Sequence, residues 1–158
     1  MNFEITDFLA SVLDESEYSI TALHGDGSER RFYRIVTKSR TFVMLEHLGG
    51  GRENESYYRI GTHLRSRGIP IPRFYAYNPQ GLFLLEDLGD EHLANRVLLS
   101  DESTVEQLYL QAVDTLIYMQ RHATNGFRFE YCFDTPFYDQ RLHIDQRINS
   151  LQVQLFDR

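Results

Sequence analysis

Two stretches of the sequence combine residue types that could do chemistry. The first runs His24-Gly25-Asp26-Gly27-Ser28-Glu29-Arg30-Arg31-Phe32-Tyr33-Arg34. A loop containing Gly25, Asp26, Gly27 and Ser28 can present backbone N–H groups to phosphate oxygens, because glycine permits close approach and unusual dihedrals. Arg30, Arg31 and Arg34 could add charge-assisted, often bidentate, contacts. The same residues would also make an ordinary β-turn with a solvated charged rim. The second stretch is Leu84-Leu85-Glu86-Asp87-Leu88-Gly89-Asp90, an apolar strand running into acids and a glycine. At the edge of a sheet, the backbone around Glu86, Asp87 and Leu88 could hydrogen-bond a purine while apolar neighbours hold its ring. A plain strand end with a polar turn fits that pattern too.

These stretches need elements to position them. The first 14 residues read as a short amphipathic helix with Phe3, Phe8, Leu9 and Val12 on one side. The period then changes. Runs at Tyr18–Leu23, Arg31–Val36 and Thr41–Leu45 read as strands, the last two joined by a turn at 37–40. Gly49-Gly50-Gly51 breaks the pattern, and a helix should follow, with Tyr57, Ile60, Gly61 and Leu64 at helical spacing and Gly68 as its stop. Pro70 and Pro72 force extended backbone. Strands at Phe74–Tyr77 and Leu82–Leu85 come next, around the turn Asn78-Pro79-Gln80-Gly81. Beyond Asp90 the chain turns helical. A capping box of Ser103 and Glu106 should open a helix with Val105, Leu108, Ala112, Leu116 and Met119 along one face. Thr135-Pro136 should open another, striped by Ile144, Ile148, Leu151 and Leu155, and the chain stops with that stripe unfinished.

Composition narrows the classes. With 42% hydrophobic and 25% charged residues, the 158-residue chain is that of a folded domain. A net charge of −7 argues against nucleic acid or an anionic membrane as the main partner. The longest apolar runs are too short to span a bilayer, and Met1–Asp7 carries acids where a signal peptide would be basic, so a cytoplasmic location is expected. Cys132 is the sole cysteine, which excludes an internal disulfide or a cysteine-based zinc site. Lys38 is the sole lysine; every other member of the sixteen Lys and Arg residues is arginine.

Taken together with Gly68-Ile69-Pro70-Ile71-Pro72, the two stretches resemble the aminoglycoside phosphotransferase (kinase-like) superfamily, closest to its bacterial N-acetylmuramate/N-acetylglucosamine kinase branch. The resemblance is specific over residues 24–90 and loose over 101–158. It implies an α+β fold: a kinase-like N-terminal lobe over 1–90, with a five-stranded antiparallel sheet and one helix, then a hinge linker and the first helices of an incomplete C-terminal lobe over 91–158. ATP would sit under the loop at 25–31, with adenine against the backbone at 86–88. The partners implied are the nucleotide and, in the complete enzyme, a small hydroxylated acceptor, with a sugar or amino sugar leading. Such lobes place a lysine on the third strand; here that position falls near Met44, and Arg30, Arg31 or Arg34, oriented by Glu53 or Glu55, could substitute. The family's catalytic aspartate and its Mg²⁺ ligands would lie beyond Arg158, so no catalytic or metal residue is assigned in this chain. His143-Ile144-Asp145 begins like a catalytic loop, but Asn149 comes one residue too early and the stretch keeps a helical stripe. A non-catalytic nucleotide-binding or association module is the alternative, and an uncovered C-terminal helix would favour self-association.

Residues 1–158 by themselves are therefore expected to show no phosphotransferase activity. Turnover of ATP above background, abolished by Asp145→Ala, would contradict this.

Overall fold

A computed structural model of the chain describes residues 3–23 and 29–132. Helix α1 spans Phe3–Val12, and strands β1 (Tyr18–Leu23), β2 (Arg31–Thr37) and β3 (Thr41–Glu46) follow. Helix α2 (Gly51–Ser66) leads to β4 (Phe74–Asn78) and β5 (Leu82–Glu86), then to α3 (Leu93–Leu98), α4 (Glu102–His122) and a 3-10 turn at Phe129–Tyr131. The five strands form one antiparallel sheet in the order β1-β2-β3-β5-β4. The fold is α+β, as expected. The sequence in 133–158, including the helix after Pro136 and the His143-Ile144-Asp145 stretch, lies outside the described residues, as do the loop residues 24–28.

Alternation along the strands gives the sheet two different faces. On one, Ile35, Phe42, Met44, Leu82 and Leu84 pack with Ile5, Phe8 and Leu9 of α1. Ile5 and Leu9, one helical turn apart, bury the stripe that the sequence drew through Phe8, Leu9 and Val12; the side chain of Phe3 is outside the described residues. On the other face, Leu45, Phe83 and Leu85 pack with Phe32, Val43 and Phe74, and with Tyr57 and Tyr58 of α2. Tyr57 meets Phe74 and Phe83 edge-on at 5.4 and 5.5 Å, the favoured geometry for aromatic pairs.

The passage from β3 into α2 is fixed by a buried polar knot. Asn54 donates from Nδ2 to the His47 carbonyl at 2.8 Å and shares 2.7 Å with His47 Nδ1 through its Oδ1, while the His47 N–H donates to the Gly81 carbonyl at 2.8 Å. Gly81 has φ +108, and a Cβ there would meet the His47 carbonyl oxygen at 2.1 Å, so only glycine fits. The β4–β5 turn is thereby tied to the start of α2.

At the C-terminal side the structure corrects the expected helix cap. The cap of α4 is Asp101, whose carboxylate accepts from the Thr104 N–H at 2.8 Å; Ser103 donates its hydroxyl to the same carboxylate rather than capping. An aspartate in extended conformation just before the first turn outcompetes a serine already inside it. The apolar face of α4 is only partly covered. Val105 and Leu108 are half-buried, whereas Leu116 and Met119 are exposed among the described residues.

Asn54→Ala should lower unfolding stability by about 1–3 kcal/mol, since it strands the His47 partners without hydrogen bonds. A urea midpoint indistinguishable from wild type would show that the knot contributes nothing.

Candidate functional site

The three arginines of the first stretch do not stay together. Strand alternation sends Arg31 to the α1 side of the sheet and Arg34 to the α2 side. Arg31 is 73% exposed and lies 3.5 Å from Glu46, a carboxylate that is itself buried. Tyr33 donates its hydroxyl to the same Glu46 oxygen at 3.1 Å, and burial followed by the Glu46 contact pushes the Tyr33 phenol up. Arg31 and Tyr33 thus serve one buried acid on the far face of the sheet. Arg30 goes the other way, pairing with Glu53 in the first turn of α2 and lying over the Tyr57 ring at 5.2 Å. Burial raises the Tyr57 hydroxyl, with Arg30 opposing it.

Arg34 is opposite Val43 in the ladder and therefore on the α2 side, toward the other end of β2 from Arg30. Its Nε donates to Asp87 at 2.8 Å, its Nη1 to Asp90 at 2.8 Å, and its Nη2 to both, at 3.2 and 2.8 Å. Burial raises the Asp87 carboxyl, but the Gly89 N–H at 2.9 Å and Arg34 together hold it below the usual carboxylate range. For Asp90 the Arg34 hydrogen bonds are the main cause of a lowered value. At four residues' separation on an extended strand, Arg30 and Arg34 stand about 13 Å apart on one face.

Glu86 ends β5 with its carboxylate turned to β4 and α2, where it accepts from the Arg73 N–H at 2.9 Å and lies 3.5 Å from Arg65. Leu88 is exposed, and among the described residues its backbone groups meet no hydrogen-bond partner. Met44 has no exposed surface and packs against α1, so the β3 side chains on the α2 face are Val43 and Leu45 instead. Gly25, Asp26, Gly27 and Ser28 are outside the described residues. Two participants were not singled out from the sequence: Tyr57, under Arg30, and Asp90, the second partner of Arg34. The helical spacing of Glu53 and Tyr57 was a signal for the first; Asp90 already closed the second stretch, but its pairing with Arg34 had no signal in the sequence.

A cavity of about 370 Å³ borders Glu29, His47, Gly50, Arg52 and Glu53, beside the Arg30–Glu53 pair. A larger one, about 530 Å³, lies between α1 and the β4–β5 turn on the opposite face from Arg30 and Arg34. The smaller cavity matters more here, since Glu53, the partner of Arg30, lines it. No cluster of three or more metal-ligating side chains occurs among the described residues, and the acidic pair Asp87 and Asp90 is already engaged by a guanidinium.

A family comparison bears directly on this arrangement. Residues 19–158 match the APH family, the phosphotransferase enzyme family, and the chain belongs to it. A crystal structure from Ralstonia eutropha JMP134, provisionally described as an aminoglycoside phosphotransferase, is similar at 15% identity and a TM-score of 0.41. That similarity covers 55% of this chain and only 27% of the other protein, so this chain spans about a quarter of that protein's length. Among curated proteins there is no match. No helix among the described residues is long and apolar enough to cross a membrane.

The carboxylates of the Arg34 cluster titrate lower when folded than when unfolded, which fixes the sign of an acid effect. Their contribution to stability is present above the unfolded carboxylate value, about 4, and is lost as pH falls through the folded one. The urea midpoints of wild type and Arg34→Ala should therefore differ near pH 7 and converge toward pH 3. A gap independent of pH would mean that Arg34 stabilises the fold without the charge of these two carboxylates.

Proposed function

We propose that this chain is the nucleotide-binding part of a phosphotransferase that moves the terminal phosphoryl group of ATP to a hydroxyl of a small acceptor. Family membership supports phosphotransfer chemistry, and the observation that carries the nucleotide assignment is the Arg30–Glu53 pair. In kinase-like sites a strand lysine is held by a helix glutamate and cradles the α- and β-phosphates. Here Leu45 occupies the α2-facing position on β3, and the cation reaches the same region from the start of β2. Glu53 is positioned to orient Arg30 as the helix glutamate orients that lysine, and the Tyr57 ring supports the guanidinium from beneath. The phosphates would lie between Arg30 and the loop 25–28, and the base would lie toward residues 86–88.

Mg²⁺, where bound, would neutralise charge on the phosphates; its ligands are not assigned among the described residues. The work of this part of the protein is then positioning, the larger share of catalysis in a reaction with little covalent chemistry for the protein to perform. The acceptor we favour is a sugar or amino sugar, on the resemblance of His24–Arg34 to that branch of kinases. Residues 1–90 would form the nucleotide lobe and 91–158 the start of the acceptor lobe, in a cytoplasmic enzyme.

Titration calorimetry of the chain with ATP tests the reading. Binding should be weak, with Kd on the order of 0.1–1 mM. Arg30→Ala should weaken it several-fold, whereas Arg31→Ala, on the far face, should leave it nearly unchanged. Equal losses from the two substitutions, or none from either, would remove the assignment of Arg30.

A further inference from the structure

Arg34 makes four hydrogen bonds to two carboxylates, and its geometry does not fit a phosphate ligand. A guanidinium has five N–H donors. Nε and Nη1 give one each and Nη2 gives two to Asp87 and Asp90, which leaves a single donor. Its one positive charge is outweighed by two carboxylates, so the cluster is net negative and would repel phosphate. What the cluster does hold is backbone. Arg34 stands opposite Val43 in the ladder, and its guanidinium takes hold of the segment just beyond β5. Asp87 is 6% exposed there, and it accepts in turn from the N–H of Gly89, which has φ +80.

We propose that Arg34 is a positioning residue for the base-receiving segment 86–88: its planar fork fixes this segment relative to β2 and β3 and makes no phosphate contact. The inference rests on the nucleotide reading above and deepens it by dividing the arginines between the two ends of the ligand. Arg30 faces the phosphates, and Arg34 sets the place of the base. Lysine cannot reproduce a planar, multiply donating fork, although it keeps the charge.

Calorimetry with adenosine and with ATP separates the roles, using wild type, Arg34→Lys and the exposed-site variant Asp90→Asn. Arg34→Lys should weaken both compounds by the same factor, about tenfold, as the loss of a charge-assisted contact implies. Asp90→Asn, the milder change, should also weaken both equally. Hydrogen exchange without nucleotide should quicken at the amides of residues 87–90 in both variants. Full ATP affinity in Arg34→Lys, or a loss confined to ATP, overturns the inference while leaving the nucleotide reading in place. A wild-type chain that binds neither compound overturns the nucleotide reading and the inference with it.

Discussion

The central strand of the sheet is buried on both sides, and that constraint decides where charge can go. β3 presents Phe42 and Met44 to α1 and Val43 and Leu45 to α2. An ionised side chain in its middle would lose its hydration with no compensating partner, at a cost of several kcal/mol. Charge appears on β3 only at its last residue, Glu46, where a tyrosine hydroxyl and an arginine can reach it. Any cation serving the α2 face must therefore come from elsewhere. The neighbouring strand β2 supplies it, at Arg30 just before its start and at Arg34 in its body.

The near-exclusive use of arginine has a structural reading. Lys38, the sole lysine, sits in the exposed β2–β3 turn beside Glu17. The arginines act as flat plates with long apolar stems. Arg40 lies over Phe42 and Tyr75, Arg73 over Tyr75, and Arg59 over Tyr131 while also pairing with Glu55. Exposed pairs of this kind add little stability singly. Where they reach a distant segment, as Arg40 does to Tyr75 and Arg59 to Tyr131, they help to hold the two segments together. Arg34 with Asp87 and Arg30 with Glu53 are the two cases in which the segments so joined border the candidate site.

Most elements were legible because their ends carry strong local signals. Gly68, at φ +77, stops α2 as read, and Asn78–Gly81 turns β4 into β5 with two N–H bonds to the Asn78 side chain. The extents of β1, β2 and β3 match the sequence reading to within one residue at each end. What the sequence could not reveal was depth and facing. Arg30, Arg31 and Arg34 look like one basic cluster on paper, and only the strand's two-residue period separates them. Met44 likewise stood at the right distance along β3 but on the α1 side. The cap of α4 was misread because Ser103 and Glu106 satisfy the capping-box spacing, while Asp101 needs only its own carboxylate. Helix α3, six residues long with no buried side chain, offered no periodicity to read.

The sheet order explains why the two ends of β2 can differ in character. Had β4 and β5 simply continued the meander, β5 would be an edge strand and its exit would lie far from β2. Instead the chain leaves β3 through α2, enters at the edge as β4, and turns inward so that β5 lies beside β3. Because β5 runs antiparallel to β3, its last residue, Glu86, stands opposite Phe42 near the start of β3. The start of β3 is in turn beside the end of β2, so Asp87 emerges within reach of Arg34. At the opposite end, Arg31 faces Glu46, and the chain then passes through His47–Gly50 into α2, which brings Glu53 to Arg30. One strand thus connects the segment after β5 to the first turn of α2, with a guanidinium near each end held by acids from a different part of the chain. An elongated ligand lying along β2 would meet hydrogen-bonding backbone at one end and an oriented cation at the other, an asymmetry set by the crossover and not by any single residue.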